Sequence, residues 1–283
     1  MAVLKFKSKG VEVKKLQQNL KDLGYKIAVD GDFGNGTKSV VIRFQKDNNL
    51  SPDGIVGSNT QSVIDFLLAE NPIYGIDISH HNGAINFNKI NWEIIKFVFC
   101  KASQGKTFKD NMLHSYFSEL KRLNIFRGVY HFMTFKDVSA SNQVNNFLNC
   151  GVDFTENGVL PPVLDLEWQQ SPALNNYIMQ NKSTCIQKAK DWLTKVEAAT
   201  GRIPIIYTAN SFWRDYFAAS ADFSRYPLWL ASYNRNSPVI PTGWTDYKIW
   251  QFTEGGTIEG LVGNVDKNVF NGSMNDLKKL ANF

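Results

Sequence analysis

Two carboxylic residues, Asp165 and Glu167, stand two positions apart in the stretch PPVLDLEW. In an extended strand, alternate side chains leave the same face, so their Cα atoms lie roughly 6.6 Å apart and the carboxyl groups can share one pocket. Crowding and burial raise the pKa of one member of such a pair. Glu167 could then donate a proton while Asp165 stays ionised, which is what cleavage of a glycosidic bond requires. A structural pair neutralised by a neighbouring Lys or Arg is the alternative interpretation.

Further polar and aromatic side chains stand at the ends of other predicted strands. Buried aspartates cost free energy unless they are paired, so their density indicates a functional site. Aromatic rings can stack on the apolar faces of sugar rings, although packing is their commoner role in strands. For His131 two interpretations stay open, a wall residue with satisfied hydrogen bonds and a substrate contact. The candidate residues of this mouth are Asp77, Lys101, Tyr130, His131, Tyr207, Trp229, Tyr233, Gln251 and Asp266.

Eight short apolar and aromatic runs, separated by helical patterns, predict a parallel sheet with crossovers. The predicted strands cover residues 74–79, 97–103, 126–133, 159–168, 203–209, 228–233, 247–253 and 265–270. Helical patterns lie at about 110–124, 139–150, 182–200 and 273–282. The last four strands are joined by segments mostly too short for full crossover helices. The sequence therefore predicts an incomplete α/β barrel, whose active site lies at the C-terminal ends of the strands.

The first seventy residues contain a repeat. The pattern D-G-x-x-G-x-x-T occurs at Asp30–Thr37 and again, 23 residues later, at Asp53–Thr60. In each copy Asp-Gly turns the chain, and the threonine is a suitable N-cap, so helices are predicted to begin at Thr37 and Thr60. An earlier helix is indicated by Val13, Leu16, Leu20 and Leu23. Together these elements predict a small three-helix bundle, and the repeat could simply be two capped turns that close it.

The elements L-Q-x-x-L, D-G-x-F-G-x-x-T and F-Q span about sixty residues of this region. With them the region resembles the peptidoglycan-binding module found at the ends of many wall-degrading enzymes. Gly36 departs from the family pattern, which more usually has a longer residue before the threonine. The resemblance does not say which residues touch the ligand, and a core role is the alternative for Phe44. The nominated ligand contacts are Asp30, Phe33, Phe44 and Gln45.

Eight motifs of the remaining chain occur in order: YGIDISHHNG, FVFCKASQG, GVYHF, PPVLDLEW, IPIIYT, LWLASY, WQFT and VDKNVF. They resemble the strand motifs of the glycoside hydrolase family 25 lysozymes over about residues 73–270. The resemblance implies a flattened β/α barrel with eight strands and fewer helices. It also implies that Glu167 is the catalytic acid, Asp165 its partner carboxylate, and Asp77 and Asp266 two further pocket aspartates. The implied groove residues are Lys101, Tyr130, Tyr207, Trp229, Tyr233 and Gln251.

One departure from the family pattern is Ser103-Gln104, where Thr-Glu is frequent, so no acidic role is assigned at position 104. The resemblance implies two domains, a peptidoglycan-binding module at 1–70 and a muramidase barrel at 73–283, meeting beside Asn71-Pro72. It further implies cleavage of the β-1,4 bond after N-acetylmuramic acid with retention and without a metal or other cofactor. Retention could use a carboxylate nucleophile or the substrate's own 2-acetamido oxygen, which we favour.

Composition limits the partners and the cellular location that we expect for this protein. The 283 residues carry a net charge of +5 without a block of like charge, which does not indicate a nucleic-acid partner. No secretory signal and no apolar run long enough for stable membrane insertion is visible. Three widely spaced cysteines favour a reducing site of synthesis. We therefore expect a phage endolysin, made in the host cytoplasm and released to the wall through a holin. The alternatives are a bacterial autolysin, a chitinase-like glycosidase and a non-catalytic wall-binding protein.

Overall fold

The computed structural model describes residues 3–48, 50–68, 72–217, 223–233 and 238–283. Three helices form the N-terminal module: α1 (Val11–Asp22), α2 (Asn35–Asp47) and α3 (Ser58–Leu68). Their apolar faces meet in a core, as the helical spacing predicts. This core contains Val13, Leu16, Leu20, Val41, Phe44, Val63, Ile64 and Leu67. The predicted helical bundle is confirmed, whereas Asn71, at the predicted junction, lies outside the described residues.

The two copies of the repeat fold in the same way, each around a buried glutamine. In the first copy, Gln17 Nε2 donates to Asp30 Oδ1 at 2.8 Å and to Thr37 Oγ1 at 3.0 Å. Gln17 Oε1 accepts the Gly31 N–H at 2.7 Å. The same contacts recur in the second copy among Gln45, Asp53, Gly54 and Thr60. The repeated pattern therefore encodes a hydrogen-bond network that closes each turn onto the preceding helix.

The helix starts differ from the sequence prediction. Helix α2 begins at Asn35 and α3 at Ser58, so Thr37 and Thr60 lie inside the first turns and are not N-caps. The Thr37 hydroxyl is engaged elsewhere, because it accepts from the glutamine and donates to the Asp32 carbonyl at 3.1 Å. The side chain that could have capped the helix ties the turn to α1 instead.

The barrel contains eight strands, with one short strand added beside it. In chain order the strands are β1 (Ile73–Ile78), β2 (Ile95–Gln104), β3 (Phe108–Lys109), β4 (Phe126–Phe132), β5 (Val163–Leu166), β6 (Ile205–Ala209), β7 (Leu228–Ala231), β8 (Ile249–Gly256) and β9 (Val265–Phe270). The β1–β2 pairing closes the sheet, and β3 pairs only with β2. Strand β9 runs antiparallel to both neighbours, in contrast to the parallel sheet expected. Only residues 257–264 link β8 to β9, too few for a crossover helix.

Helices cover the barrel unevenly, as the short connections predict. They are α4 (Leu113–Arg122), α5 (Ala140–Leu148), α6 (Pro172–Gln180), α7 (Lys182–Thr200), α8 (Asn210–Phe212) and α9 (Met274–Leu280), and a π-helix, Trp213–Phe217, continues α8. The sequence predicts α4, α5, α7 and α9 but not α6. Helix α6 begins with a Ser171 cap and Pro172 in its first turn, signals that precede a weakly periodic stretch. None of the described helices is long and apolar enough to cross a membrane.

Large aromatic side chains fill the lower part of the barrel. Phe97 and Phe99 are fully buried inside it and require glycine on the facing strands. A Cβ atom at Gly75 would lie 2.3 Å from the Phe97 ring, and one at Gly128 would lie 2.3 Å from the Phe99 ring. The lower barrel is thus a packed core, and a cavity opens at the C-terminal ends of the parallel strands.

The module packs on the outside of the barrel through a buried charged contact. The Asp47 carboxylate at the end of α2 accepts from Tyr25 Oη at 2.9 Å and from Lys267 Nζ on β9 at 3.4 Å. The Thr257 hydroxyl donates to the same carboxylate at 3.2 Å. Asp47 is 1 % exposed, so its charge is compensated almost entirely by these partners.

Candidate active site

A cavity of about 340 Å³ opens at the mouth of the barrel, and all four predicted carboxylic residues line it: Asp77, Asp165, Glu167 and Asp266. Asp266 stands at the start of β9 and reaches the same end as the others because that strand is antiparallel. A larger cavity, of about 530 Å³, lies between the module and the barrel. Its lining is mostly apolar, cationic and amide side chains, so the mouth is the better candidate for chemistry.

Glu167 and Asp165 sit together at the end of β5, as predicted. Burial raises the pKa of Glu167 to about 7; the positive charge of Lys101 opposes this rise, and the negative charge of Asp77 adds to it. Burial and the charge of Glu167 likewise raise the pKa of Asp165. The Oδ1 atom of Asp165 is buried and has no hydrogen-bond partner among the described residues. The two carboxyl groups therefore compete for protons, and the raised pKa of Asp165 opposes the expected ionisation of this residue.

Asp77 and Asp266 form a second carboxyl pair, directly opposite each other on β1 and β9. Asp77 Oδ2 accepts from Gln251 Nε2 at 3.0 Å and from Asn268 Nδ2 at 2.8 Å. Burial and the negative charge of Asp77 raise the pKa of Asp266 to about 10. Burial also raises the pKa of Asp77, but the two amide donors and Asp266 counteract that rise. The pair therefore holds a proton at neutral pH, and Asp266 carries it.

Lys101 supplies the positive charge of the mouth. Its Nζ donates to Gln104 Oε1 at 2.9 Å and lies 5.1 Å from the centre of the Phe132 ring. Burial lowers the pKa of Lys101, while the carboxylates of Asp165 and Glu167 act in the opposite direction. One cation thus faces several crowded carboxyl groups, which explains why some of these groups retain protons.

Three predicted groove residues form one hydrogen-bonded group at the mouth. Tyr207 Oη and Tyr233 Oη each donate to Gln251 Oε1 at 2.9 Å. Gln251 is 1 % exposed, so it supports Asp77 and the tyrosines from below and does not reach into the groove. Tyr233 is 37 % exposed and remains available to a ligand. Tyr130 lines the cavity directly, as predicted.

His131 and Trp229 are not groove residues, contrary to prediction. His131 follows Tyr130 on β4 and therefore points away from the barrel interior. It is fully buried and bonded to Ser103 Oγ at 2.8 Å, and its ring stacks on Trp192 at 5.6 Å. Its pKa falls to about 4 because of burial, so it is neutral. Trp229 does point inward but lies within the packed core, 4.6 Å from the Phe99 ring.

The nominated contacts of the module also require correction. Phe33, Phe44 and Gln45 are buried at 0 to 1 % exposure and cannot touch a wall polymer. The carboxylate of Asp30 is exposed, but it accepts from Gln17 and from the Asp32 N–H, which lower its pKa. A shallow groove of about 300 Å³ lies beside this turn. Its lining includes Lys26, Ala28, Asp30, Gly34, Gly36 and Val40.

Several residues of the mouth were missed by sequence reasoning. Asn268, which donates to Asp77, is fully buried on β9, and an asparagine within a strand has no spacing signal of its own. His81 also lines the cavity. Other lining residues not predicted are Asn82, Phe132, Gln170 and Asn264. Within the described ranges, no three or more His, Cys, Asp or Glu side chains are placed to hold a metal ion.

Comparison with known families agrees with this site. Residues 76–261 match Glycosyl hydrolases family 25, and residues 9–64 match the putative peptidoglycan binding domain. The chain therefore belongs to glycosyl hydrolases family 25 and is a glycoside hydrolase that carries a peptidoglycan-binding domain. The resemblance of both regions, drawn from their motifs, is confirmed.

Individual relatives cover the barrel. Lysozyme M1 from Streptomyces globisporus is 31 % identical over 74 % of this chain and 71 % of its own. The crystal structure of the bacterial lysozyme from Streptomyces coelicolor is 30 % identical, with a TM-score of 0.69 over 74 % of this chain and 97 % of its own. The structure of the CTP1L endolysin is 27 % identical, with a TM-score of 0.57 over 73 % of this chain and 69 % of its own.

Proposed function

We propose that the chain is a lysozyme that hydrolyses the β-1,4 bond between N-acetylmuramic acid and N-acetylglucosamine in peptidoglycan. The observation that carries this proposal is Glu167, a buried carboxyl group whose pKa is raised to about 7 beside a second carboxyl group in an open cavity. A general acid works best when its pKa lies near the working pH. The names of the lysozymes similar to this chain support the same substrate class.

In the proposed reaction, Glu167 donates its proton to the oxygen of the leaving N-acetylglucosamine. The carbonyl oxygen of the 2-acetamido group attacks the anomeric carbon and closes an oxazolinium ring. Glu167, now ionised, accepts a proton from water, and the oxygen of that water opens the ring with net retention. Asp165, which lines the same cavity, accepts the acetamido N–H and orients the group for attack. Positive charge that develops on the acetamido group favours ionisation of Asp165 at that step.

A carboxylate nucleophile is the second retaining route. Its test is a fluorinated sugar that traps covalent glycosyl-enzymes, followed by the mass of the intact protein. Substrate assistance predicts no adduct, whereas a stable adduct on Asp77 or Asp165 would establish the covalent route.

The bond that is cleaved is tested by mass spectrometry of digested peptidoglycan, because the reducing-end sugar identifies it. The proposal predicts N-acetylmuramic acid at the new reducing end. N-acetylglucosamine at that end would contradict it, and cleavage of chitin in place of peptidoglycan would favour a chitinase-like glycosidase. Intact peptidoglycan after incubation with the folded protein would favour a non-catalytic wall-binding protein.

We propose that the module holds the enzyme at the wall, which raises the local substrate concentration. The shallow groove beside Asp30 is its candidate ligand surface. Ala28 is an exposed residue of that groove, so Ala28→Glu should preserve the fold. We expect this variant to sediment less with purified peptidoglycan than the unmodified protein, while its turnover on soluble wall fragments stays unchanged. Equal sedimentation would exclude this groove, and Lys15→Glu, exposed on α1 outside the groove, is the control.

We propose a phage endolysin as the biological role, made in the host cytoplasm and released through a holin. The combination of a peptidoglycan-binding domain with a family 25 barrel supports this role, as does the similarity to the CTP1L endolysin. A bacterial autolysin is the alternative. Expression in a susceptible host tests the two: an endolysin should lyse the cells only when a holin is co-expressed, and lysis without one would contradict holin-dependent release.

A further inference from the structure

The side-chain amides of Asn268 and Gln251 donate to Asp77, and the carbonyl oxygen of each amide has a further hydrogen-bond partner. Asn268 Oδ1 accepts the indole N–H of Trp229 at 2.8 Å. An indole N–H can only donate, so the carbonyl end of Asn268 must face it and the NH₂ end must face Asp77. Gln251 Oε1 receives two tyrosine hydroxyls, and rotation of this amide would turn the same oxygen toward the Asp77 carboxylate. Neither amide can rotate without losing buried hydrogen bonds.

This arrangement decides which carboxyl group of the second pair is protonated. Asp77 Oδ2 receives two N–H donors, so that oxygen has no room for a proton of its own. Asp77 and Asp266 stand opposite each other on β1 and β9, so their carboxyl groups compete for a proton. The two amide donors stabilise the ionised form of Asp77, which leaves the proton on Asp266.

We propose that Asn268 is a positioning residue which, locked by Trp229, keeps Asp77 negatively charged in the cavity that it shares with Glu167. The inference rests on the proposed role of Glu167 as the acid. Asn268 and Trp229 are at most 1 % exposed, and both act through Asp77 without reaching the substrate. The negative charge of Asp77 contributes to the raised pKa of Glu167. The buried amides therefore help to keep the catalytic proton on Glu167 at neutral pH.

Other charged and titratable groups around Asp77 also influence the electrostatics of the cavity. They lie on strands of the barrel or directly after them, and several of them interact electrostatically with the Asp77 carboxylate. These groups are Cys100, Lys101, Tyr130, Asp165, Glu167, Tyr207, Tyr233, Glu254 and Asp266. Substituting Asn268 removes none of these groups, so its direct effect is on the hydrogen bond to Asp77 and on the proton that Asp77 shares with Asp266.

The test compares Asn268→Leu and Trp229→Phe with the control Trp213→Phe. Trp213 is also buried and donates its indole N–H, but to the Thr242 carbonyl at 3.0 Å, with no connection to Asp77. The readouts are kcat and KM on soluble wall fragments across the pH range. Loss of the Asn268 donor should let Asp77 take the proton that Asp266 carries, so negative charge moves from Asp77 to Asp266. The contribution of Asp77 to the raised pKa of Glu167 is then lost, and that pKa should fall. We expect kcat to fall about tenfold near pH 7 with KM unchanged. The basic limb, which is the decline of activity on the alkaline side of the pH profile, should move to lower pH.

Trp229→Phe should move the basic limb in the same direction by a smaller amount, and Trp213→Phe should leave it in place. If Asn268→Leu does not fold, the comparison of the two tryptophan variants decides. Unmoved profiles in the folded Asn268 and Trp229 variants would overturn the inference. Glu167→Gln, measured alongside, separates the two proposals: a fully active Glu167→Gln contradicts the catalytic assignment, whereas an inactive one with unmoved profiles contradicts only the amide lock.

Discussion

The N-terminal module and the barrel mouth both bury side-chain amides, but the amides have different partners. In the module, Gln17 is fully buried and bonds to neutral groups and to the exposed carboxylate of Asp30. In the mouth, Gln251 and Asn268 donate to a buried carboxylate, Asp77, within a cavity that holds three further carboxyl groups. The first network satisfies every polar group that it buries, which is how buried polar groups stabilise a fold.

The second network supports an arrangement that costs stability. Burial raises the pKa values of Glu167 to about 7 and of Asp266 to about 10, so charge on either group is unfavourable in the folded protein. Asp165 also retains a buried oxygen without a partner in the described structure. Strained electrostatics of this kind are expected where chemistry is performed. The comparison therefore separates polar residues that hold the fold from those that serve the reaction.

Glu167→Gln should produce the largest effect. Without a proton to donate, the variant should fold normally and lose about 10²- to 10⁴-fold in kcat on purified walls. The measurement is the rate of release of reducing ends, with circular dichroism as evidence of folding. Glu197→Gln, which alters only the surface pair with Arg225, should retain full activity. Full activity in a correctly folded Glu167→Gln would exclude it as the acid.

Sequence reasoning found Asp165 and Glu167 because both lie within one short strand, where spacing fixes the shared face. It found Asp77 and Asp266 through strand motifs, although the antiparallel direction of β9 was not visible. It erred at His131, since adjacent residues of a strand cannot both face the mouth, and Tyr130 does. Trp229 faces inward but lies too deep, and its depth depends on the stagger of the strands, which a sequence pattern does not reveal.

Gln17→Leu tests the structural side of the comparison. The substitution leaves the Gly31 N–H without its partner and removes the donor to Asp30 and Thr37, so it should lower the free energy of unfolding by roughly 2 to 4 kcal/mol. Denaturant unfolding at several pH values should show a loss that does not depend on pH between 6 and 8. Gln18→Leu is the control, because Gln18 is exposed and bonds only within its own helix to Asp22. Equal stability of the two variants would mean that the buried network contributes nothing.

Asp266→Asn tests the barrel mouth, the second region of the comparison. The folded pKa of Asp266, about 10, lies above the ordinary value of 3.8, so the folded state binds this proton more tightly than the unfolded chain. Its contribution to stability is complete below about pH 4 and is lost progressively as the pH rises toward 10. Asparagine carries no such proton, so the variant should be more stable than the original protein at pH 8, by about 1 to 3 kcal/mol. The difference should disappear at pH 4.

Thermal unfolding at these two pH values checks the prediction for Asp266, with Asp22→Asn as an exposed control. The expected gain in stability of the variant at pH 8 would show that Asp266 lowers the stability of the protein. A loss of stability at pH 8 would instead place it with the structural network of the module, and the distinction between the two regions would fail at this position.

The dependence of kcat/KM on pH, measured on soluble wall fragments, tests the central claim most directly, because this ratio reports the pKa values of the enzyme before substrate binds. Glu167 must be protonated to act, so kcat/KM should fall as the pH rises through about 7. Above that point each pH unit should lower kcat/KM about tenfold. A decline that begins near 4.5, the ordinary pKa of a glutamic acid side chain, would show that the barrel mouth does not hold this proton. A kcat/KM that is constant up to pH 9 would show that the reaction does not depend on Glu167 as its acid.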